Sequence, residues 1–161
     1  MSDTDLKVIN LYAGTRPDGQ PIGEDVRVKT LKDAQLQLVH SPAFVKGIAS
    51  GDIIEYKESD RSVKMVQRSG NLAIRVMAKS NLELIAENLT PEIEKLGGEV
   101  DAKSERVVVY TIHISCGFPA IEKILNTYVG ENTESVWFYG NVYDPADGVT
   151  PLEWWKDQPD E

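Results

Sequence analysis

The chain has 161 residues, a one-domain length, with 41% hydrophobic residues, enough for an ordinary core. Its formal charge is −9 and its pI about 4.8, which argues against nucleic acid and anionic membrane as partners, because phosphate binding needs clustered Lys and Arg. A single cysteine excludes an internal disulfide and fits a reducing compartment.

Met1 to Asp5 reads as loose. The opening MSDTDLKVIN is acidic and lacks the apolar stretch of a signal peptide, and no apolar run approaches a bilayer span, so a cytoplasmic setting is expected. Leu6–Tyr12 reads as a strand, and Ala13–Ile22, rich in Gly and Pro, as an exposed turn or loop. Asp25–Leu31 and Gln35–His40 alternate apolar and polar residues and predict a hairpin. Ser41–Asp52 reads as a connection anchored by Phe44, Val45 and Ile48. Two further strands, Asp52–Lys57 and Ser62–Gln67, flank a polar turn. Short strands at regular spacing predict a small antiparallel barrel or curled sheet over residues 1–68.

After Ser69-Gly70-Asn71 the period changes. Leu72–Ala78 reads as a strand. Asn81–Leu96 has apolar residues at three- and four-residue steps and reads as a helix, with Thr90-Pro91 placed to cap a second segment. Glu99–Ala102 is a short strand. Val107–Ile114 is β-branched and aromatic throughout, apart from His113, and reads as the buried central strand. Gly117 breaks it, Pro119 suits a first helical turn, and Phe118–Val129 carries one apolar face ending at Gly130. Val136–Tyr143 is the last strand. This order predicts a ferredoxin-like βαββαβ half over 69–144. The acidic tail 145–161 carries Trp154 and Trp155. The overall expectation is an α+β fold built as one compact unit.

Parity on the central strand assigns Val108, Tyr110, Ile112 and Ile114 to the helices, together with Leu72, Ile74, Val76 and Ala78. The opposite face then shows Arg75 and His113. The last strand allows either phase; in one of them Trp137, Tyr139, Asn141 and Tyr143 join that second face. Arg75, His113, Tyr139 and Asn141 are therefore the candidate ligand-binding residues. For Arg75 the competing role is an ion pair with a neighbouring acid.

Cys116 is the candidate nucleophile, with His113 or His40 as base. His113 lies three residues before it and points to the opposite face of a regular strand. The alternatives are a buried inert thiol and a packed imidazole. Trp154 and Trp155 are candidate partner anchors, with packing onto the body as the alternative. No CxxC, HExxH or P-loop is present, so no metal site and no cofactor are expected.

Pro42-Ala43-Phe44 through Gly51-Asp52-Ile53-Ile54, followed by Ser69-Gly70-Asn71 and the βαββαβ pattern, resembles small bacterial proteins grouped as domain of unknown function 4265. The resemblance implies a bacterial cytosolic setting and transfers no activity, catalytic residue or cofactor. The leading functional expectation is a non-enzymatic protein-binding module whose acidic surface meets a basic partner, as toxin-blocking immunity proteins do. A small-molecule sensor and a cysteine-dependent enzyme using Ser115–Gly117 are the alternatives. Oligomeric state is left open.

Overall fold

In a computed structural model, residues 6–31, 34–144 and 149–157 are described. The fold is mixed α+β, with two antiparallel sheets and two helices. The first sheet is a five-stranded meander of β1 (Leu6–Thr15), β2 (Pro21–Thr30), β3 (Gln35–Leu38), β4 (Ile53–Lys57) and β5 (Ser62–Gln67), in chain order. β1 and β2 reach further than the residue pattern predicts. A bulge between Tyr12 and Gly14, with Gly14 at φ 132°, lets the ladder resume as Gly14–Ile22 and Thr15–Pro21. Glycine absorbs the irregular backbone and Pro21 takes the tolerated first position of its strand. Residues 13–22 thus form a hairpin end, not a free loop.

The sheet curls but does not close into a barrel. Its edges meet where Tyr12 N donates to Arg61 O at 3.1 Å, Arg61 donates to Asn10 Oδ1 at 2.8 Å and the Tyr56 hydroxyl donates to Asn10 O at 3.0 Å. No ladder joins β1 to β5 among the described residues.

The second sheet contains β6 (Asn71–Ala78), β7 (Glu99–Lys103), β8 (Val107–His113) and β9 (Ser135–Tyr139), in the order β7-β8-β6-β9. Helices α1 (Leu82–Lys95) and α2 (Phe118–Tyr128) pack on one face of it. Parity on β6 and β8 is as expected: Leu72, Ile74, Val76, Val108, Tyr110 and Ile112 share a core with Ile85, Leu89, Ile93, Ile121 and Leu125. Each fully buried aliphatic side chain there contributes about 1.5–3 kcal/mol. A separate core, with Leu11, Val26, Val28, Leu38 and Ile54, lies under the first sheet.

Helix α1 is continuous, which corrects the expected capping of a second segment at Thr90-Pro91. Thr90 Oγ1 hydrogen-bonds the Tyr110 hydroxyl at 2.7 Å, and Pro91 sits exposed inside the helix. The carbonyl that Pro91 cannot serve belongs to exposed Glu87, where water can serve it. Burial of Leu89 and Ile93 on either side of the proline holds the turn. Among the described residues no helix is long and apolar enough to cross a membrane.

β9 takes the other phase from the one that grouped Tyr139 with Arg75. Trp137 Nε1 donates to Asn126 Oδ1 at 2.8 Å, and the Tyr139 hydroxyl donates to Glu122 Oε2 at 2.9 Å, both on α2. Val136 and Phe138 therefore face away from the helices, and Phe138 stands opposite Arg75. Aromatic rings with a polar tip suit a helix margin, where the ring is buried and the tip finds a partner. The strand also ends at Tyr139, four residues early. Beyond it the Asn141 side chain takes over the ladder, accepting from Ala73 N at 3.0 Å and donating to Asn71 O at 2.9 Å.

Candidate functional site

The face of the second sheet that lacks helices is where the sequence placed a binding surface. Much of it is covered. Residues 41–52 form a strap between the two sheets. Val45 and Ile48 enter the core of the first sheet, while the strap backbone and polar side chains meet the second. Local chemistry holds the strap rigidly. The Glu24 carboxylate accepts three consecutive backbone N–H groups: Ala43 at 2.7 Å, Phe44 at 2.8 Å and Val45 at 2.9 Å. From the other side, the Arg75 guanidinium donates to the carbonyls of Val45 and Phe44.

Arg75 is 1% exposed and lies against the Phe138 ring, its Cζ 6.0 Å from the centroid. Burial lowers its pKa to about 10, and the charge of Glu24 opposes that shift. Among the described residues it makes no ion pair with a neighbouring-strand acid; backbone carbonyls take the place of the acid partner expected for it. Gly140 is what allows the close fit: a Cβ there would sit 3.0 Å from Arg75 Nε, and Gly140 O accepts from Gly47 N at 2.8 Å.

A second polar cluster closes the strap's ends. Ser41 Oγ meets Thr111 Oγ1 at 2.6 Å, Ser41 N donates to Asp101 Oδ2 at 2.7 Å, and the Thr111 hydroxyl donates to the same carboxylate. Asp52 accepts from Ala49 N and Ser69 N, each at 2.9 Å. Asn71 Nδ2 and Ser69 Oγ both donate to Ser50 O. Burial raises the pKa of Asp52, partly offset by those backbone donors and by the charge of Arg68. Ser41, Asp52, Arg75, Thr111 and Asn141 are thus buried polar residues serving the junction. Each is satisfied by a partner, as buried polar groups require; the one exception is Arg75 Nε.

The remaining candidates are dispersed. His113 Nδ1 accepts from Ser115 N at 3.1 Å and engages Ser115 Oγ at 2.8 Å. Cys116 Sγ donates to Leu96 O at 3.1 Å, at the end of α1. The cysteine and histidine therefore bind different partners. His40 lies elsewhere, its Nε2 accepting from Arg27 N at 3.1 Å and its Nδ1 facing Ser41 O at 3.2 Å. Trp154 is buried, donates to Asn141 O at 2.9 Å and lies under Arg68, with 5.4 Å from Cζ to the ring centroid. Trp155 stacks edge-on against Phe118 at 5.3 Å. Both tryptophans pack on the body. Among the described residues no group of three His, Cys, Asp or Glu could hold a metal ion.

A concave surface lies on the helix-free face. Where the strap stops short, Val107, Met77 and Val136 stand side by side across β8, β6 and β9, and Phe44 walls them in. The groove has a volume of about 370 Å³. Phe44 and Val136 are 51% and 59% exposed. Lys79, Arg106 and Glu134 stand at its rim. Sequence reasoning missed this groove because Phe44 read as a core anchor and the phase of β9 was open. It missed the Glu24 cradle because nothing in a β-strand glutamate announces a partner twenty residues away.

No curated protein sequence matches the chain. A solved structure of a hypothetical protein from Neisseria gonorrhoeae superposes with a TM-score of 0.65 at 16% identity, covering 84% of this chain and 93% of that one. At that identity the likeness speaks for the fold alone. The profile of a family described as domain of unknown function (DUF4265) matches residues 24–136, a span that runs from the strap-capping Glu24 to Val136 of the groove. The chain belongs to the DUF4265 family.

Proposed function

We propose that this protein is a non-enzymatic binding module of the bacterial cytoplasm, whose ferredoxin-like second half recognises a protein with a basic surface. The observation that carries this reading is the division of charge. Residues 1–68 hold ten acids and ten bases, whereas residues 69–161 hold sixteen acids and seven bases, so the whole −9 belongs to the second half. Its acids Glu83, Glu87 and Glu94 lie exposed along α1, with Glu99 on the adjacent edge strand β7. Leu84 and Val100 are exposed among them, 58% and 38%. Single-sign charge around apolar contacts speeds encounter with an oppositely charged partner.

The strand order β7-β8-β6-β9 with both helices on one face supports the ferredoxin-like assignment. An immunity-like role is the version of this reading in which the basic partner is a toxin. Affinity capture from the source cell tests it: a stoichiometric basic protein is the expected catch, and Glu87→Lys with Glu94→Lys should weaken its binding at least tenfold. Capture unaffected by both reversals removes the electrostatic reading.

A second reading, small-molecule sensing, is favoured by one observation: the groove beside Phe44. The cysteine-enzyme reading has no comparable support, since Cys116 and His113 are hydrogen-bonded to Leu96 and Ser115 respectively.

A further inference from the structure

We infer that the groove between Phe44 and Val136 binds a small amphiphilic carboxylate, with its apolar body on Met77, Val107 and Val136 and its carboxylate between Lys79 and Arg106. The inference deepens the sensing reading and is independent of the acidic α1 face.

The floor comes first. Met77 pairs with Val107 on one side and Val136 on the other, so three apolar side chains form a row across the sheet on the side away from the helices. Neighbouring strands lie about 4.8 Å apart, which makes the row about 10 Å long. Phe44 rises beside it from the strap. That wall is not a loose surface ring. Its N–H is held by Glu24 and its carbonyl by Arg75, so the backbone under it is fixed from two sides. A preformed apolar wall and floor, with a volume of about 370 Å³, is of the size that takes a small ligand.

The charge at one end selects the ligand's sign. Lys79 follows β6 and Arg106 precedes β8, and both line the groove. Neither has a side-chain partner among the described residues. Of the other cations of this acidic half, Arg75 is buried, Lys95 is paired with Glu92 at 3.0 Å, Lys103 with Glu83 at 2.8 Å, and Lys123 stands exposed on α2, on the helix side of the sheet and away from the groove. In a region with sixteen acids to seven bases, two unpaired cations therefore stand together at an apolar groove. Glu134 approaches from the β9 side, across β6 from Arg106. It repels an anion from that end and so fixes the ligand's direction. A planar carboxylate suits the guanidinium fork of Arg106, and the ammonium of Lys79 adds a point charge.

The test is a methyl and amide NMR titration of the full chain with octanoate, alongside 1-octanol as an uncharged match. Octanoate should shift Met77, Val107 and Val136 saturably, and 1-octanol should bind at least tenfold more weakly. The double variant Lys79→Glu/Arg106→Glu should lose octanoate at least tenfold and bind octylammonium instead. Lys79 and Arg106 are both exposed, so the double variant should fold, and a retained amide spectrum verifies it. Absence of saturable shifts at these residues overturns the inference. Equal binding of acid and alcohol overturns it too, since the groove would then be greasy without selecting charge. A peptide that displaces nothing but binds the groove where octanoate does not would assign it to a protein partner. Glu87→Lys/Glu94→Lys should leave octanoate binding unchanged, which separates failure of this site from failure of the acidic face.

Discussion

The two faces of the second sheet are built by different physics. Toward the helices, β6 and β8 present Leu72, Ile74, Val76, Val108, Tyr110 and Ile112, and the contact is apolar. Toward the strap, the same strands present Arg75 and Thr111, and the contact is a set of directed hydrogen bonds to Phe44, Val45, Ser41 and Asp101. Apolar packing is non-directional and tolerates many sequences of the right volume. A polar seam works only if each group meets its own partner, and a single missing partner leaves a buried group unsatisfied. The helix face therefore sets how stable this half is. The strap face sets how the two halves are oriented, and with them the groove under Phe44.

Substitutions on the two faces should separate these roles. The largest effect is expected from Leu89→Ala, which removes a fully buried side chain of α1. It should cost about 3 kcal/mol in urea unfolding, with opening spread over the whole second sheet in hydrogen exchange. Arg75→Met should cost about 2 kcal/mol, because it strands the carbonyls of Phe44 and Val45 while relieving a buried charge. Its signature is local: amides 43–50 should lose protection while β6 and β8 keep theirs. Uniform loss across both sheets would show that the two faces act as one core. Gly140→Ala should cost about 1–2 kcal/mol, since its methyl would press on Arg75 at 3.0 Å from Nε. Combined with Arg75→Met, the alanine should cost much less, and strict additivity would break the proposed contact.

The smallest effect concerns pH. Burial holds the folded-state pKa of Asp52 above 3.8, its ordinary value. The native state therefore binds that proton more tightly than the unfolded chain. The contribution is fully present below pH 3.8 and is lost as pH rises through the folded value. The stability of the wild type minus that of Asp52→Asn should fall as pH is raised from about 4 toward neutrality. A difference that instead grows with pH would mean that the Ala49 and Ser69 donors outweigh desolvation.

Legibility followed the same division. Periodicity located the β6 and β8 phases, both helices and the β2–β3 hairpin, because each is a local consequence of which residues avoid water. Pro91 misled at α1, where burial of Leu89 and Ile93 outweighs a missing N–H on the solvent side. β9 misled because Val136-Trp137-Phe138-Tyr139 is apolar in both phases, and only Glu122 and Asn126 on α2 choose between them. Arg75 read as a ligand-binding candidate or half of an ion pair; its partners in the fold are backbone carbonyls thirty residues away, and no side-chain pattern announces a carbonyl.

The order of strands and helices, the apolar phase of the central strands and the excess of acid in the second half follow from the chain's own residues. Each depends on short-range alternation or on composition. The covering of the helix-free face by residues 41–52, the engagement of Glu24, Asp52 and Arg75, and the groove with its two cations were decided only in three dimensions. Hydrogen bonds between distant segments depend on where the folded backbone places their donors and acceptors, and that placement exists only once both cores have formed.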